Sequence, residues 1–336
     1  MARVSWKILI TARTIPEVGR EAVELMRAAG CEVIIPSKLG PLPVNELLER
    51  LERMDAALVS PDPFNASVLA SPAAANLKII SRWGVGYDSI DIAAATRQGI
   101  VVAYTPGFLN ETVADYAFAL LLAMARRVHE VHQLMSAGTW KTVWGVDVFG
   151  KTLGLIGCGR IGQAVAKRAA GFNLKLLAYD VAPNAEAEKL GVKFVGFDEL
   201  LAESDFVSLH CALTPQNQGL FGESAFRKMK PGAVLINTAR GALVDESALA
   251  AALRAGRLGG AALDVFAKEP LPAGGPLAGA PNLLLSPHQS SCARETAQRV
   301  SLAAARAILD LMQGRRPAMV VDPTVFESPA LRARLS

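Results

Sequence analysis

The chain has 336 residues, of which 51% are hydrophobic and 20% are charged. This composition excludes a disordered chain and predicts a folded protein of about two domains. The formal net charge is only +4 and no basic block occurs, so we expect no nucleic-acid partner. The longest apolar run, residues 116–125, is shorter than the roughly 18 residues of a membrane-spanning helix, so we expect no membrane partner.

The compartment is predicted from the first residues and the cysteines. Residues 1–7 lead directly into a strand-like apolar run, without the apolar core and cleavage site of an export signal. Four dispersed cysteines are too few for a disulfide framework in a chain of this length. They are Cys31, Cys158, Cys211 and Cys292. We therefore expect a cytoplasmic protein.

Short apolar runs alternate with helical patterns along the whole chain. Continuous runs rich in valine, isoleucine and leucine are typical of strands buried on both faces of a parallel sheet. The runs are residues 7–11, 31–35, 56–60, 77–81, 100–104, 153–157, 175–180, 192–195, 206–210, 234–237, 261–265 and 283–286. This pattern predicts an α/β fold with two doubly wound parallel-sheet domains.

The boundary between the two series of strands follows Thr105-Pro106-Gly107. A helical pattern over 112–135 and a loop with Trp140 and Trp144 come next, and they suit a domain link, a dimer arm or an ordinary core helix. A last helical pattern covers 294–312. We predict a discontinuous domain of residues 1–105 and 292–336, with a second domain, 106–291, inserted in it.

A glycine motif follows the first strand of the second series. Gly157, Gly159 and Gly162 form Gly-x-Gly-x-x-Gly between a strand and a helical pattern, and Asp180 ends the next strand. Such glycines allow a tight turn, close approach of a pyrophosphate and close helix packing, and the acid binds the adenosine ribose. The motif favours NAD over NADP, because a carboxylate repels a 2′-phosphate. A glycine turn in an ordinary α/β unit is the alternative.

Polar residues gather after three later strands, where ligands bind in open α/β sheets. Arg240 can hold a carboxylate by two hydrogen bonds, His288 can act as an acid or base near neutral pH, and Glu269 can orient it. Taken singly, the arginine also fits a surface ion pair and the histidine a structural role. Hydride transfer to a nicotinamide requires groups that hold the substrate, move a proton and tune the proton-transfer group, and these three residues are candidates for those roles.

Five segments occur in the order typical of one enzyme family. They are residues 82–91, the glycine motif, residues 237–241, residues 264–270 and Pro287-His288. The sequence resembles the D-isomer-specific 2-hydroxyacid dehydrogenases, which include D-3-phosphoglycerate dehydrogenases and glyoxylate and hydroxypyruvate reductases. The resemblance implies a flavodoxin-like substrate domain and an inserted Rossmann domain that binds NAD. It also implies a phosphoglycerate dehydrogenase-like enzyme that acts on a small 2-hydroxy or 2-oxo acid, and a homodimer formed through the nucleotide domain.

The resemblance assigns roles to individual residues. Arg240, Glu269 and His288 are the catalytic set, with His288 as the proton donor in reduction, and Arg82, Val85, Gly86 and Arg240 bind the substrate. The cofactor residues are Gly157, Gly159, Arg160, Ile161, Gly162, Asp180, His210, Thr214, Thr238, Ala239, Asp264, Ser290, Ser291 and Thr112.

Two segments differ from the family pattern. Gln289-Ser290-Ser291 follows the histidine where the family usually has a small, glycine-containing stretch, and residues 57–62 lack the arginine with which phosphoglycerate dehydrogenases hold the phosphate. Alternatives are an unusual substrate such as a phosphonate or phosphite, and a non-catalytic NAD-sensing adaptor. Glu269 speaks against a formate dehydrogenase, in which a glutamine pairs with the histidine. His129 and His132 lack a third metal ligand, so we expect no metal.

Overall fold

The computed structural model describes residues 5–335. Residues 1–4, part of the segment used to predict the compartment, lie outside the described residues. The chain divides into two compact units. The first consists of the residues up to Leu109 together with those from Cys292 onward, and the second is Asn110–Ser291.

Strands occur at all the apolar runs predicted from the sequence. The first unit contains β1 (Lys7–Ile10), β2 (Glu32–Ile34), β3 (Ala56–Val59), β4 (Ile79–Arg82) and β5 (Val101–Ala103). The second unit contains β6 (Thr152–Ile156), β7 (Lys175–Tyr179), β8 (Val192–Phe194), β9 (Phe206–Leu209), β10 (Val234–Asn237), β11 (Gly260–Leu263) and β12 (Leu283–Leu285).

Helices connect these strands. In the first half of the chain they are α1 (Ile15–Val18), α2 (Arg20–Ala28), α3 (Val44–Leu51), α4 (Ala66–Leu69), α5 (Ile92–Arg97), α6 (Asn110–Ala125) and α7 (Val128–Ser136). In the second half they are α8 (Arg160–Ala170), α9 (Ala185–Glu188), α10 (Phe197–Glu203), α11 (Glu223–Lys228), α12 (Glu246–Arg254) and α13 (Arg294–Met312). Among the described residues, no helix is long and apolar enough to cross a membrane.

The two sheets have the strand orders of the predicted folds. The order β2-β1-β3-β4-β5 in the first unit is flavodoxin-like. The order β12-β11-β10-β9-β6-β7-β8 in the second unit is the Rossmann order with one added strand. Every neighbouring pair of these strands is parallel. The predicted fold class is therefore confirmed.

The prediction of a single helix over 112–135 is wrong, because the structure has two helices there. Arg127, between α6 and α7, has a φ of +53°, which ends α6. Its guanidinium donates to Glu130 Oε2 at 2.6 Å and to Asn282 Oδ1 at 2.8 Å. These bonds hold a left-handed conformation that neither glycine nor proline announces in the sequence.

Buried side chains pack against both faces of the Rossmann sheet. Leu155 and Phe118 belong to one apolar cluster, and Leu209 and Phe226 belong to the other. In the first unit, α13 packs on β4, where the Ser81 hydroxyl donates to the Ala304 carbonyl at 2.9 Å. Both sheets are thus rigid supports for the loops at their carboxyl ends.

Candidate active site and cofactor site

The glycine turn joins β6 to α8 in the geometry that the motif predicts. Gly157 has a φ of +88°, and a Cβ there would lie 2.6 Å from the backbone nitrogen of Cys211. A Cβ on Gly162 would overlap the carbonyl oxygen of Gly157. A Cβ on Gly159 would meet no atom of the described residues within 4 Å. The turn is therefore closely packed at Gly157 and Gly162 and open at Gly159.

Asp180 follows β7 and lies beside the glycine turn. Its carboxylate accepts the backbone N–H of Cys158 at 2.7 Å and that of Ala182 at 2.9 Å. A carboxylate has about four acceptor positions, so further acceptor positions remain for ribose hydroxyls. This contact fixes the orientation of the acid relative to the turn.

These features fit a dinucleotide. The first residues of α8, Arg160 and Ile161, place the positive end of a helix dipole beside the open position at Gly159. The hydroxyl of Thr238, which follows β10, is buried without a hydrogen-bond partner among the described residues. A buried hydroxyl normally has a partner, and a bound cofactor would supply one.

Three further predicted cofactor residues of this unit lie after β9 or in helix α6. His210 follows β9, and its Nε2 lies 2.8 Å from the hydroxyl of Ser208. Burial lowers the pKa of His210 to about 4, so this imidazole is neutral at physiological pH. Thr214 is exposed four residues further on, and Thr112 lies in the first turn of α6.

Arg240 lies at the carboxyl end of β10. The side-chain amide of Asn237 donates to the carbonyl of Arg240 at 2.9 Å and accepts the N–H of Ala239 at 3.0 Å, which fixes the intervening turn. The Arg240 guanidinium is half-buried and donates to the Ala239 carbonyl at 2.7 Å. A Cβ on Gly241 would overlap the backbone of Phe266, so Arg240 lies next to the turn that carries Glu269.

His288 and Glu269 form a close pair. Nδ1 of His288 lies 2.8 Å from Oε2 of Glu269, and the side chains are 33% and 29% exposed. Because the carboxylate can only accept, Nδ1 carries the proton, and Nε2 is the ring nitrogen left for a substrate. The second oxygen of Glu269 accepts the N–H of Phe266 at 3.1 Å. This pairing provides an acid or base with a fixed tautomer.

Asp264 holds the loop that carries His288. Its fully buried carboxylate accepts the N–H groups of Gln289 and Ser290, each at 2.8 Å, and the hydroxyl of Ser286 at 2.6 Å. Its carbonyl accepts the N–H of His288, whose φ is +56°. Asp264 therefore holds the backbone N–H of His288, which has a left-handed conformation, and the N–H groups of the two residues that follow it. Ser291, the next predicted cofactor residue, is half-buried at the end of this loop.

The other predicted substrate residues, Arg82, Val85 and Gly86, lie in the first unit, at and after the end of β4. The preceding Gly84 has a φ of +124°. Its N–H donates to the Thr105 hydroxyl at 2.9 Å, and its carbonyl accepts the Thr105 N–H at 3.0 Å. Arg82 donates to the carbonyl of Trp83. The Val85-Gly86 peptide thus follows a glycine whose backbone is held on both its N–H and its carbonyl by Thr105.

Sequence reasoning missed some polar residues that hold these loops. Glu246, the first residue of α12, accepts the N–H of Ala267 at 2.9 Å, and Thr105 holds Gly84 as described. In the sequence, Asp245-Glu246 is typical of the acidic start of a helix, and Thr105 is typical of the end of a strand. Only the long-range contact reveals either role. Within residues 5–335, no cluster of three or more His, Cys, Asp or Glu side chains could hold a metal.

Comparisons with known proteins agree with this architecture. Residues 118–290 match the family model described as D-isomer specific 2-hydroxyacid dehydrogenase, NAD binding domain. The chain is 43% identical to the glyoxylate reductase of Korarchaeum cryptofilum over 330 residues, which cover 96% of this chain and 97% of that protein.

Solved structures give the same result. A crystal structure of a protein from Thermus thermophilus is 42% identical with a TM-score of 0.86, covering 94% of this chain and 100% of that one. D-lactate dehydrogenase from Aquifex aeolicus, complexed with NAD and lactic acid, is 26% identical with a TM-score of 0.81. That alignment covers 94% of this chain and 98% of the Aquifex chain.

The Rossmann sheet and its glycine turn fit a dinucleotide-binding domain, and the matched family and relatives define the class of protein, an NAD-dependent oxidoreductase. The chain belongs to the D-isomer-specific 2-hydroxyacid dehydrogenase family. Its reaction is the NAD-dependent interconversion of a D-2-hydroxy acid and its 2-oxo acid.

Proposed function

We propose that Arg240, Glu269 and His288 catalyse the reduction of a small 2-oxo acid, and its reverse, at the carboxyl end of the Rossmann sheet. The observation that carries this proposal is the 2.8 Å contact between His288 Nδ1 and Glu269 Oε2. A histidine oriented by a carboxylate is suited to general acid–base catalysis. Its loop and the turn bearing Glu269 lie at the strand ends where α/β sheets bind ligands.

When bound, NADH would supply the hydride for reduction of C2 of the 2-oxo acid. As charge develops on the C2 oxygen, the imidazolium of His288 donates its Nε2 proton to it, so that a hydroxyl forms. Glu269 stabilises the imidazolium before the transfer and keeps the ring oriented. Arg240 binds the substrate carboxylate and polarises the C2 carbonyl. In the oxidative direction, His288 takes the hydroxyl proton.

The residues around the glycine turn are proposed to hold the cofactor. Gly159 leaves room for the pyrophosphate, the amides at the start of α8 bind it, and Asp180 binds the adenosine ribose. Further contacts are proposed for the remaining residues of the predicted cofactor set. They are Thr112, Gly157, Arg160, Ile161, Gly162, His210, Thr214, Thr238, Ala239, Asp264, Ser290 and Ser291.

A substrate with a short side chain on the oxo acid is proposed, with glyoxylate and hydroxypyruvate as the first candidates. The Korarchaeum relative is named a glyoxylate reductase, and residues 57–62 contain no arginine for a phosphate. The backbone amides of Val85 and Gly86, with Arg82, are proposed to bind the substrate carboxylate. Their support is the fixed conformation of Gly84 before them.

Substitution of the catalytic residues tests this function. His288→Ala and Arg240→Ala are each expected to lower kcat/KM by about 100-fold or more, because one removes the proton donor and the other the polarising cation. NADH affinity, measured by fluorescence titration, should stay near that of the unsubstituted protein. Arg20→Ala, at an exposed arginine of α2, is the matched control. Turnover near that of the unsubstituted protein in either variant would refute the assigned roles.

A homodimer formed through the second unit is also proposed. Its support is an exposed apolar patch, defined as Val128, Met135, Trp140, Trp144, Val146 and Phe149. The two tryptophans are 91% and 87% exposed, and within α7, which the structure describes in full, no residue is buried. Aromatic side chains bury about 150–250 Å² each, so the patch approaches the roughly 800 Å² per partner of a standard interface.

A cytoplasmic location is proposed as well. Its support is that the described cysteines are thiols rather than disulfides, and that Cys211 and Cys292 are at least partly exposed. Accessible thiols are typical of a reducing compartment.

A further inference from the structure

We propose that Glu246 is a positioning residue for the catalytic pair, acting through the turn that carries Glu269. The inference rests on the proposed function, because it assumes that Glu269 orients His288. Glu246 Oε1 accepts the backbone N–H of Ala267 at 2.9 Å across 21 residues of sequence. No motif of the sequence assigns a role to this glutamate.

Two consecutive N–H groups of this turn are each held by a carboxylate. Glu269 Oε1 accepts the N–H of Phe266 at 3.1 Å, and Glu246 takes the next one, on Ala267. Glu269 uses its other oxygen for His288 at 2.8 Å. Glu269 is thus bonded to the peptide that ends at Phe266, and Glu246, from a separate helix, holds the next peptide of the same turn, between Phe266 and Ala267.

Glu246 stands on a rigid support. The side chain of Asp245 caps α12 by accepting the N–H groups of Ser247 at 2.9 Å and Ala248 at 3.0 Å. Leu249 and Leu253 of the same helix are buried in the apolar cluster that also contains Phe266. The helix and the start of the turn thus share one core, and the glutamate transmits the position of the helix to the exposed part of the turn.

The far end of the same helix holds the same segment. The guanidinium of Arg254, the last residue of α12, donates to the carbonyl oxygens of Pro276 at 3.2 Å and Ala278 at 3.1 Å. The segment from Phe266 to Ala278 is therefore bound to α12 at both ends. Of these two contacts, the one made by Glu246 lies next to the catalytic pair.

The contact affects geometry more than stability. Ala267 is exposed, so water can hydrogen-bond its N–H once the glutamate is removed, and the stability lost is small. The turn that carries Glu269 is then held less firmly, and a displacement of about 1 Å at a reacting group can lower a rate by about 100-fold. A purely structural role would instead appear as a lower Tm with an unchanged kcat.

A double-mutant cycle tests the proposal. Glu246→Ala is expected to lower kcat by about 10- to 100-fold, with the KM for glyoxylate and the NADH affinity nearly unchanged. Glu246→Gln, which keeps an acceptor oxygen, should recover most of kcat. In a Glu269→Gln background, Glu246→Ala should cause little further loss, because the residue acts through Glu269. Ser247→Ala, at the next and exposed position, is the control.

The kcat values of these variants distinguish the positioning role of Glu246 from the proposed role of Glu269. An unchanged kcat in Glu246→Ala, or the same fold-loss in both backgrounds, overturns the positioning role while leaving the proposed function intact. An unchanged kcat in Glu269→Gln alone overturns the proposed role of Glu269, and this inference with it. Circular dichroism and Tm exclude misfolding as the cause, and Glu246→Gln supplies a second variant if Glu246→Ala does not fold.

Discussion

At the scale of single residues, Gly159 provides a sharp test of the cofactor site. Its φ of −73° suits any residue, and a Cβ there would meet no described atom within 4 Å. Gly159→Ala is therefore expected to leave the Tm unchanged and to raise the Kd for NADH by about 10-fold or more, because the added methyl group occupies the space of the pyrophosphate. Fluorescence titration with NADH and thermal unfolding measure the two quantities.

The matched control is Gly171→Ala, at the other end of the same helix. Its φ is −66°, and an added Cβ would make only an ordinary contact, 3.5 Å from the carbonyl oxygen of Arg168. This variant should bind NADH like the unsubstituted protein. Equal NADH affinity in Gly159→Ala would contradict the placement of the pyrophosphate at this turn.

Residue types and their spacing were enough to predict the local geometry of the glycine turn. The open space at Gly159 and the close packing at Gly162 are those that the motif requires. Contacts between distant residues were not predictable in this way. The carboxylate of Asp264 holds the backbone of Gln289 and Ser290, and no spacing in the sequence predicts these bonds across 25 and 26 residues.

At the scale of elements, Asp205 joins two strands of the Rossmann sheet. The acid precedes β9, accepts the N–H of Thr152 of β6 at 3.0 Å, and binds Lys230, before β10, at 2.6 Å. Burial by itself would raise the pKa of this carboxyl. The bonds from Lys230 and Thr152, with the charges of Lys230 and Lys151, outweigh burial, so the pKa is below its ordinary value.

The sign of the pH dependence follows from that direction. A pKa lower in the folded than in the unfolded chain stabilises the fold above about pH 3.9, and the contribution is lost as the pH falls through the folded-state pKa. Asp205→Asn is expected to lower the free energy of unfolding by about 1–3 kcal/mol at pH 7, with a smaller difference at about pH 3. Urea unfolding at the two pH values measures it.

Asp198 supplies the control for this prediction. It pairs with Lys228 at 2.7 Å, but its side chain is 64% exposed. Asp198→Asn should therefore cost less than about 1 kcal/mol, as is usual for surface ion pairs. Equal losses in the two variants, or a loss in Asp205→Asn that does not change with pH, would contradict the stabilising role of the Asp205 carboxylate.

Strands and helices were predictable from the sequence where a single hydrophobic pattern ran from one end of the element to the other. The buried strands and α13, predicted over 294–312 and observed at Arg294–Met312, are such cases. The division between α6 and α7 was not predictable, because the apolar pattern continues through it and the break depends on side-chain bonds from Arg127. Local pattern thus fails where a distant residue, here Asn282, stabilises an unusual backbone conformation.

At the scale of the whole molecule, the exposed apolar patch predicts the state of association. Trp140→Glu with Trp144→Glu is expected to convert a dimer to a monomer in light-scattering chromatography, because charges at the centre of an interface are costly to desolvate. Val44→Glu, at a partly exposed position of α3, is the control and should remain dimeric. A monomeric unsubstituted protein, or a double variant that stays dimeric, would contradict the proposed interface.

The proposed reduction of a small 2-oxo acid is measured directly as NADH oxidation, followed at the NADH absorbance band, with a panel of 2-oxo acids. The panel contains glyoxylate, hydroxypyruvate, pyruvate, phenylpyruvate, 2-oxoglutarate and 3-phosphohydroxypyruvate. We expect turnover with glyoxylate or hydroxypyruvate, and the D-isomer as the product from hydroxypyruvate. No turnover with any member by a protein that still binds NADH, or formation of the L-isomer, would contradict this expectation.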